Sequence, residues 1–172
     1  MATPRLRSAA VSIPGVGIVV VGGLQPGSRC TRTAELLAVS KHRRCENWSW
    51  RTLLPMLETR YQPGIAYFNG CVVVAGGNGH HQISVESLKL SSRHPSHSQW
   101  THVDGFTGAN SWFCSLVVYN GKLLLADDRG RVTEYTLTPN SDDTTQAEFK
   151  ARPFATIENI AKPSLLVVRK QH

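Results

Sequence analysis

One recurring pattern leaves this chain little freedom in what it can fold into. Gly64 to Gly77 reads GIAYFNGCVVVAGG, two short apolar runs joined by Asn69-Gly70 and closed by a pair of glycines. Asn-Gly between strand-like runs is a strong hairpin signal, because both residues tolerate the positive φ of a type I′ turn. Ser115 to Asp128 (SLVVYNGKLLLADD) repeats the pattern, and Ser8 to Gly23 (SAAVSIPGVGIVVVGG) repeats it with Pro14-Gly15 at the turn. The landmarks keep step: Trp50 to Trp100 is 50 residues, and Glu35 to Glu86 and Asn69 to Asn120 are each 51. A repeat of this length holding four strands is the mark of a propeller blade.

Each unit runs through the same events. In the first, Arg7 to Ile13 and Gly17 to Val21 read as strands, a polar loop spans Leu24 to Arg32, and a third strand opens near Thr33. A fourth runs from Trp48 to Leu54 and stops at Pro55, which has no N–H to give a sheet. In the second, the hairpin is followed by a loop from Asn78 to Gln82, a strand from Val85 to Leu90, and Trp100 on the fourth strand. In the third, Asp127-Asp128 replaces the glycine pair and Phe149 takes the tryptophan position. Ser164 to Val168 (SLLVV) matches the opening of the third unit at a spacing of 49. The expected blades are therefore 4–56, 57–105 and a degenerate 106–155, with 156–172 as the stub of a fourth blade or a tail. The glycines give backbone angles and close approach that side chains would block, and the tryptophans fill wedges between blades.

Composition sets the compartment and the kind of partner. With 41% apolar and 18% charged residues, the chain is globular. Its longest apolar runs are far shorter than the roughly 20 residues a membrane helix needs. The four cysteines form no CxxC pair and no signal peptide is apparent, so a reduced cytoplasmic protein is expected, and the sequon at Asn47 is read as unused. A net charge of +7 favours acidic partners, although its compact focus is only Lys41, His42, Arg43 and Arg44, read as a solvated loop.

The chemical motifs are weak. Gly76-Gly77 leads into another strand pattern, where a phosphate-cradling loop would open a helix. His80, His81, His94, His97 and His102 lack ligand spacing to a cysteine or carboxylate, as do Cys30, His42 and Cys45 among themselves, so no metal is expected. Asp127-Asp128 and Asp142-Asp143 are read as structural loops, and no GxSxG or Cys/His/Asn nucleophile arrangement is found. Nucleic acid is an improbable ligand, because the tryptophans that stack bases elsewhere are needed here between blades. No enzyme activity and no cofactor are expected.

A strand ending in two glycines, a strand carrying Glu, then Trp50, Pro55-Met56 and Arg60 together resemble the kelch repeat, over about Pro4 to Thr138. The chain departs from that repeat at Leu37 and Leu88, where tyrosine is usual, and at Asp127-Asp128. The resemblance implies an all-β fold, a partial kelch-type β-propeller of about three four-stranded blades plus the start of a fourth. It further implies a protein-interaction module whose partner docks on loops at one end. Carried onto this sequence, the docking positions are Arg7, Arg60, Tyr61, Gln62, Asn78, His80, Ser111 and Trp112, with Arg5 beside them; the competing reading is that Arg60 braces the blade and Trp112 is core. Arginine beside aromatic residues suits an acidic peptide or loop. Similar proteins serve as substrate-recognition parts of cullin-type ubiquitin ligase adaptors. The alternatives are an actin-binding cytoskeletal kelch protein and a non-functional fragment of a larger one; a copper-oxidase fragment would need a Tyr/His/Cys constellation not found here. Three blades and a stub leave a ring open, so either further blades or a second copy in a homodimer is expected to close it.

Overall fold

The computed structural model describes residues 4–42, 45–78, 83–90, 98–106, 112–139, 147–158 and 165. These residues form an all-β fold with three antiparallel four-stranded sheets in a partial, unclosed propeller-like arrangement. The first sheet contains β1 (Ala9–Ile13), β2 (Gly17–Val21), β5 (Ala34–His42) and β6 (Cys45–Thr52), paired in that order. Between β2 and β5 a small hairpin of β3 (Leu24–Gln25) and β4 (Arg29–Cys30) stands where the sequence suggested only a polar loop. The second sheet is a simple meander of β7 (Gly64–Phe68), β8 (Cys71–Ala75), β9 (Val85–Lys89) and β10 (Trp100–His102). The third is β11 (Ser115–Tyr119), β12 (Lys122–Ala126), β13 (Arg131–Pro139) and β14 (Ala147–Thr156).

The turns follow from their residues. Asn69 and Gly70 have φ of 46° and 81°, and Asn120 and Gly121 have 48° and 71°, so both Asn-Gly pairs make the expected left-handed turns. The glycine pairs serve a second purpose, close approach of backbone. A Cβ on Gly22 would lie 2.6 Å from the Arg60 carbonyl oxygen, and one on Gly77 would lie 2.5 Å from that of Tyr61. The first contact brings the lead-in of the second blade against the strand end of the first, with Gly23 N–H donating to the Arg60 carbonyl at 2.8 Å; the second ties that lead-in to its own sheet, with Tyr61 N–H donating to the Gly77 carbonyl at 2.6 Å.

Two apolar layers join the sheets. Val19, Val21, Leu36 and Ala38 of the first sheet pack with Val72, Val74, Leu88 and Trp100 of the second. On its other side the second sheet offers Ala66, Phe68, Val73 and Ala75 to Leu116, Leu123, Leu125 and Tyr135 of the third. Trp100 is 5% exposed and its indole N–H donates to the Leu54 carbonyl at 3.0 Å, so this ring fills the first wedge as its repeat position suggested. Trp50 holds the equivalent register, opposite Leu37 as Trp100 is opposite Leu88, yet it is 40% exposed. The expectation that its ring is buried between blades fails within the described residues: no sheet covers that face. In the second wedge, Phe149 packs as the sequence proposed, but as one of four rings, with Phe68 at 6.2 Å from it. Phe106 stacks on Tyr135 with centroids 4.1 Å apart and meets Phe149 at 4.9 Å.

Candidate functional site

The segments leading into the three blades converge at one end. Arg7 and Gln62 precede β1 and β7 at matching positions and share a left-handed backbone, with φ of 56° and 55°. They are tied together, because Gln62 N–H donates to the Arg7 carbonyl at 2.9 Å. The guanidinium of Arg7 lies over the Tyr61 ring, 5.1 Å from its centroid, and Nη1 donates to the Tyr61 hydroxyl. Tyr61 in turn meets Phe113 from the third lead-in, with centroids 6.5 Å apart. Beside Phe113, Trp112 is 60% exposed, which places it on the surface and not in the core. The arrangement is a surface strip in which one exposed cation sits on aromatic carbon.

The other proposed positions divide differently. Arg60 does not face a partner: it is fully buried, and its lead-in position carries it into the sheet. Its Nε and Nη2 donate to Glu86 Oε1 at 3.0 and 2.7 Å, and Nη1 donates to the carbonyls of Gly76 and Ser84 at 2.8 and 3.1 Å. Asn78 belongs to the same network, donating from Nδ2 to Glu58 Oε2 at 2.7 Å and to Ser84 Oγ at 2.9 Å. Arg5 repeats the arrangement one blade earlier, pairing with Glu35 and donating to the Thr33 carbonyl at 3.1 Å. Gln62 is half-buried, and its Oε1 is enclosed with no hydrogen-bond partner. His80 and Ser111 lie outside the described residues, as do His81, His94, His97, Arg43, Arg44, Asp142 and Asp143.

The recurrence of Arg5 with Glu35 and of Arg60 with Glu86 was the missed signal. Spaced glutamates alone look like strand residues; matched to an arginine in each of the first two lead-ins, they read as buried pairs. The third blade has neither member at those positions, which are Ser111 and Thr133. Its strand end is held instead by Asp127, which accepts from the backbone N–H of Arg129 and Arg131 at 3.0 Å each and from Arg131 Nε at 2.8 Å. Asp127 is therefore a turn brace, in line with the structural reading of the carboxylate pair.

Among the described residues no three His, Cys, Asp or Glu side chains come together to hold a metal, and no helix is long and apolar enough to cross a membrane. Nor is a nucleophile prepared among the cysteines whose side chains are described. Cys114 is buried with its S–H on the Ala75 carbonyl at 2.8 Å, and burial pushes its thiol up to about 11. Burial raises Cys71 as well, while Cys30 is exposed. At pH 8, iodoacetamide should therefore modify Cys30 in the native protein and Cys114 only in denaturant, as mass spectrometry of the digests would report. Labelling of native Cys114 as fast as Cys30 would contradict its burial. The folded thiol binds its proton more tightly than the ordinary value of 9.0. Its stabilising contribution is thus whole below pH 9.0 and declines as pH rises towards about 11.

No known protein family matches this chain, and no curated protein matches it in sequence.

Proposed function

We propose that this chain is a kelch-type propeller segment that works as a protein-interaction module, holding an acidic peptide or loop of a partner across its lead-in strip. The observation that carries this reading is Arg7. It is exposed and cradled on Tyr61, whose ring meets Phe113 next to the exposed Trp112 in the chain, whereas the Arg60 and Asn78 side chains are committed to the sheet. A guanidinium held against an aromatic face loses little rotamer freedom on binding and keeps donors for a carboxylate, while Trp and Tyr supply apolar area. The net charge of +7 adds long-range attraction for an acidic segment. A role as the substrate-holding part of a cullin-type ligase adaptor fits the same surface, with the kelch resemblance of the repeat as its support.

Fluorescence anisotropy with labelled peptides carrying aspartate and glutamate runs, against neutral peptides of equal length, tests the proposal. Acidic peptides should bind preferentially, and Arg7→Ala should weaken them by about tenfold, roughly 1.4 kcal/mol, with the melting temperature almost unchanged. Equal binding of acidic and neutral peptides, or an Arg7→Ala variant that binds as the parent does, would overturn it.

A further inference from the structure

The first two sheets each hold an arginine in the same slot. Gly22, Thr33 and Glu35 of the first correspond to Gly76, Ser84 and Glu86 of the second. Gly22 N–H donates to the Thr33 carbonyl at 3.0 Å and Gly76 N–H to that of Ser84 at 3.1 Å, while the glutamates lie opposite Val20 and Val74. A guanidinium from the lead-in closes each slot: Nη1 of Arg5 donates to the Gly22 and Thr33 carbonyls at 3.4 and 3.1 Å, and Nη1 of Arg60 to those of Gly76 and Ser84 at 2.8 and 3.1 Å. The third sheet repeats the backbone of the slot, with Asp127 N–H on the Arg131 carbonyl at 3.0 Å and Thr133 opposite Leu125. Its sequence puts Ser111 and Thr133 where the arginine and glutamate would be. A cavity of about 310 Å³ lies at this slot, its walls including Leu125, Asp127, Arg131, Thr133, Ala151 and Pro153. Arg131 does not fill it, because its Nε and Nη2 turn to Asp127 Oδ2 and its side chain is 45% exposed.

We propose that this cavity is a binding site for an arginine side chain of a partner protein, which takes the place that Arg5 and Arg60 fill from within the chain. The groups around it call for a donor. The carbonyls of Asp127 and Arg131 are the acceptors that Gly76 and Ser84 present to Arg60. The Asp127 carbonyl also takes the Gly130 N–H at 3.0 Å, but a carbonyl oxygen accepts two bonds. Next in the chain, Asp128 Oδ1 is enclosed without a hydrogen-bond partner, and an enclosed carboxylate oxygen in that state favours a cation over an anion or an apolar group. Leu125, Ala151 and Pro153 give the methylene stem of an arginine an apolar wall. The slot lies at the lead-in end, since Asp127 and Asp128 hold the positions of Gly76 and Gly77, and Gly77 takes the Tyr61 N–H. The inference is independent of what the lead-in strip binds.

The test is a titration of the isotope-labelled full chain with N-acetyl-arginine methylamide, followed by the amide shifts of Gly130, Arg131 and Thr133. Binding is expected at about 1 to 10 mM, the range of one side chain anchoring alone, and the citrulline analogue, equal in shape but uncharged, should bind at least about tenfold more weakly. Ala151→Phe, on the exposed outer strand, should fill the cavity and abolish the shifts with an intact β-type circular dichroism spectrum. Thr133→Glu returns the carboxylate that the other two slots have and should tighten arginine binding about tenfold; being a gain, it remains decisive if Ala151→Phe fails to fold. Neither variant should alter the preference of the lead-in strip for acidic peptides. Absence of shifts at these amides up to about 50 mM, equal binding of the citrulline analogue, or arginine binding that Thr133→Glu does not tighten would each overturn the proposal.

Discussion

Arg60→Ala should cost the folded protein about 3 to 5 kcal/mol, the scale found when one partner of a buried ion pair is removed. The substitution deletes more than a pair. Glu86, itself fully buried, would keep only the backbone N–H groups of Leu57 and Glu58, at 2.6 and 3.2 Å, against its charge. The carbonyls of Gly76 and Ser84 would lose the donors that reach them from Nη1. Arg60 also joins the blades through its backbone, taking the N–H of Gly23 and giving its own to the Thr31 carbonyl. Collapse of the side chain would thus disturb the seam between the first and second sheets as well as the end of β8. Urea denaturation read by tryptophan fluorescence is the measurement. A loss below about 1 kcal/mol would mean that water or a neighbour replaces the guanidinium and that the pair is not a structural element. Replacing both charges, with Arg60→Met and Glu86→Leu together, should cost less than either change alone, since a missing pair is tolerated better than a stranded charge.

The same residue marks where sequence reading stopped. The hairpins were legible because Asn-Gly specifies its turn locally, and strand bounds such as Gly17–Val21 and Cys71–Ala75 followed from apolar runs closed by glycines. The repeat was legible because its landmarks recur at fixed spacing. The direction of a side chain at a blade lead-in is not a local property. Arg7 and Arg60 both belong to lead-ins at the same end, yet Arg7 extends over Tyr61 and Arg60 turns beneath Glu86. The difference lies in position within the lead-in: Arg60 matches Arg5, and Arg7 matches Gln62. A contact of the two lead-ins, Gln62 N–H on the Arg7 carbonyl, separates 55 residues of chain and leaves no trace in either segment alone. The small β3–β4 hairpin was also missed, since two-residue strands carry too little pattern to detect.

Trp100→Ala should be about as damaging as the loss of Arg60, at roughly 3 to 5 kcal/mol, through a different mechanism. The ring is almost wholly enclosed by residues of two sheets, and a neighbouring sheet cannot follow the retreating side chain without shifting its own ladder, so a cavity would remain. The indole N–H bond to the Leu54 carbonyl would also go, loosening the strand exit that leads to Met56, itself buried in the same layer. Trp50 supplies the internal control because it has the same register in the preceding sheet but an uncovered face. In dilute solution Trp50→Ala should cost less than about 1 kcal/mol, in keeping with a surface change. Equal losses at both positions in dilute solution would show that burial of the ring between sheets does not govern its contribution.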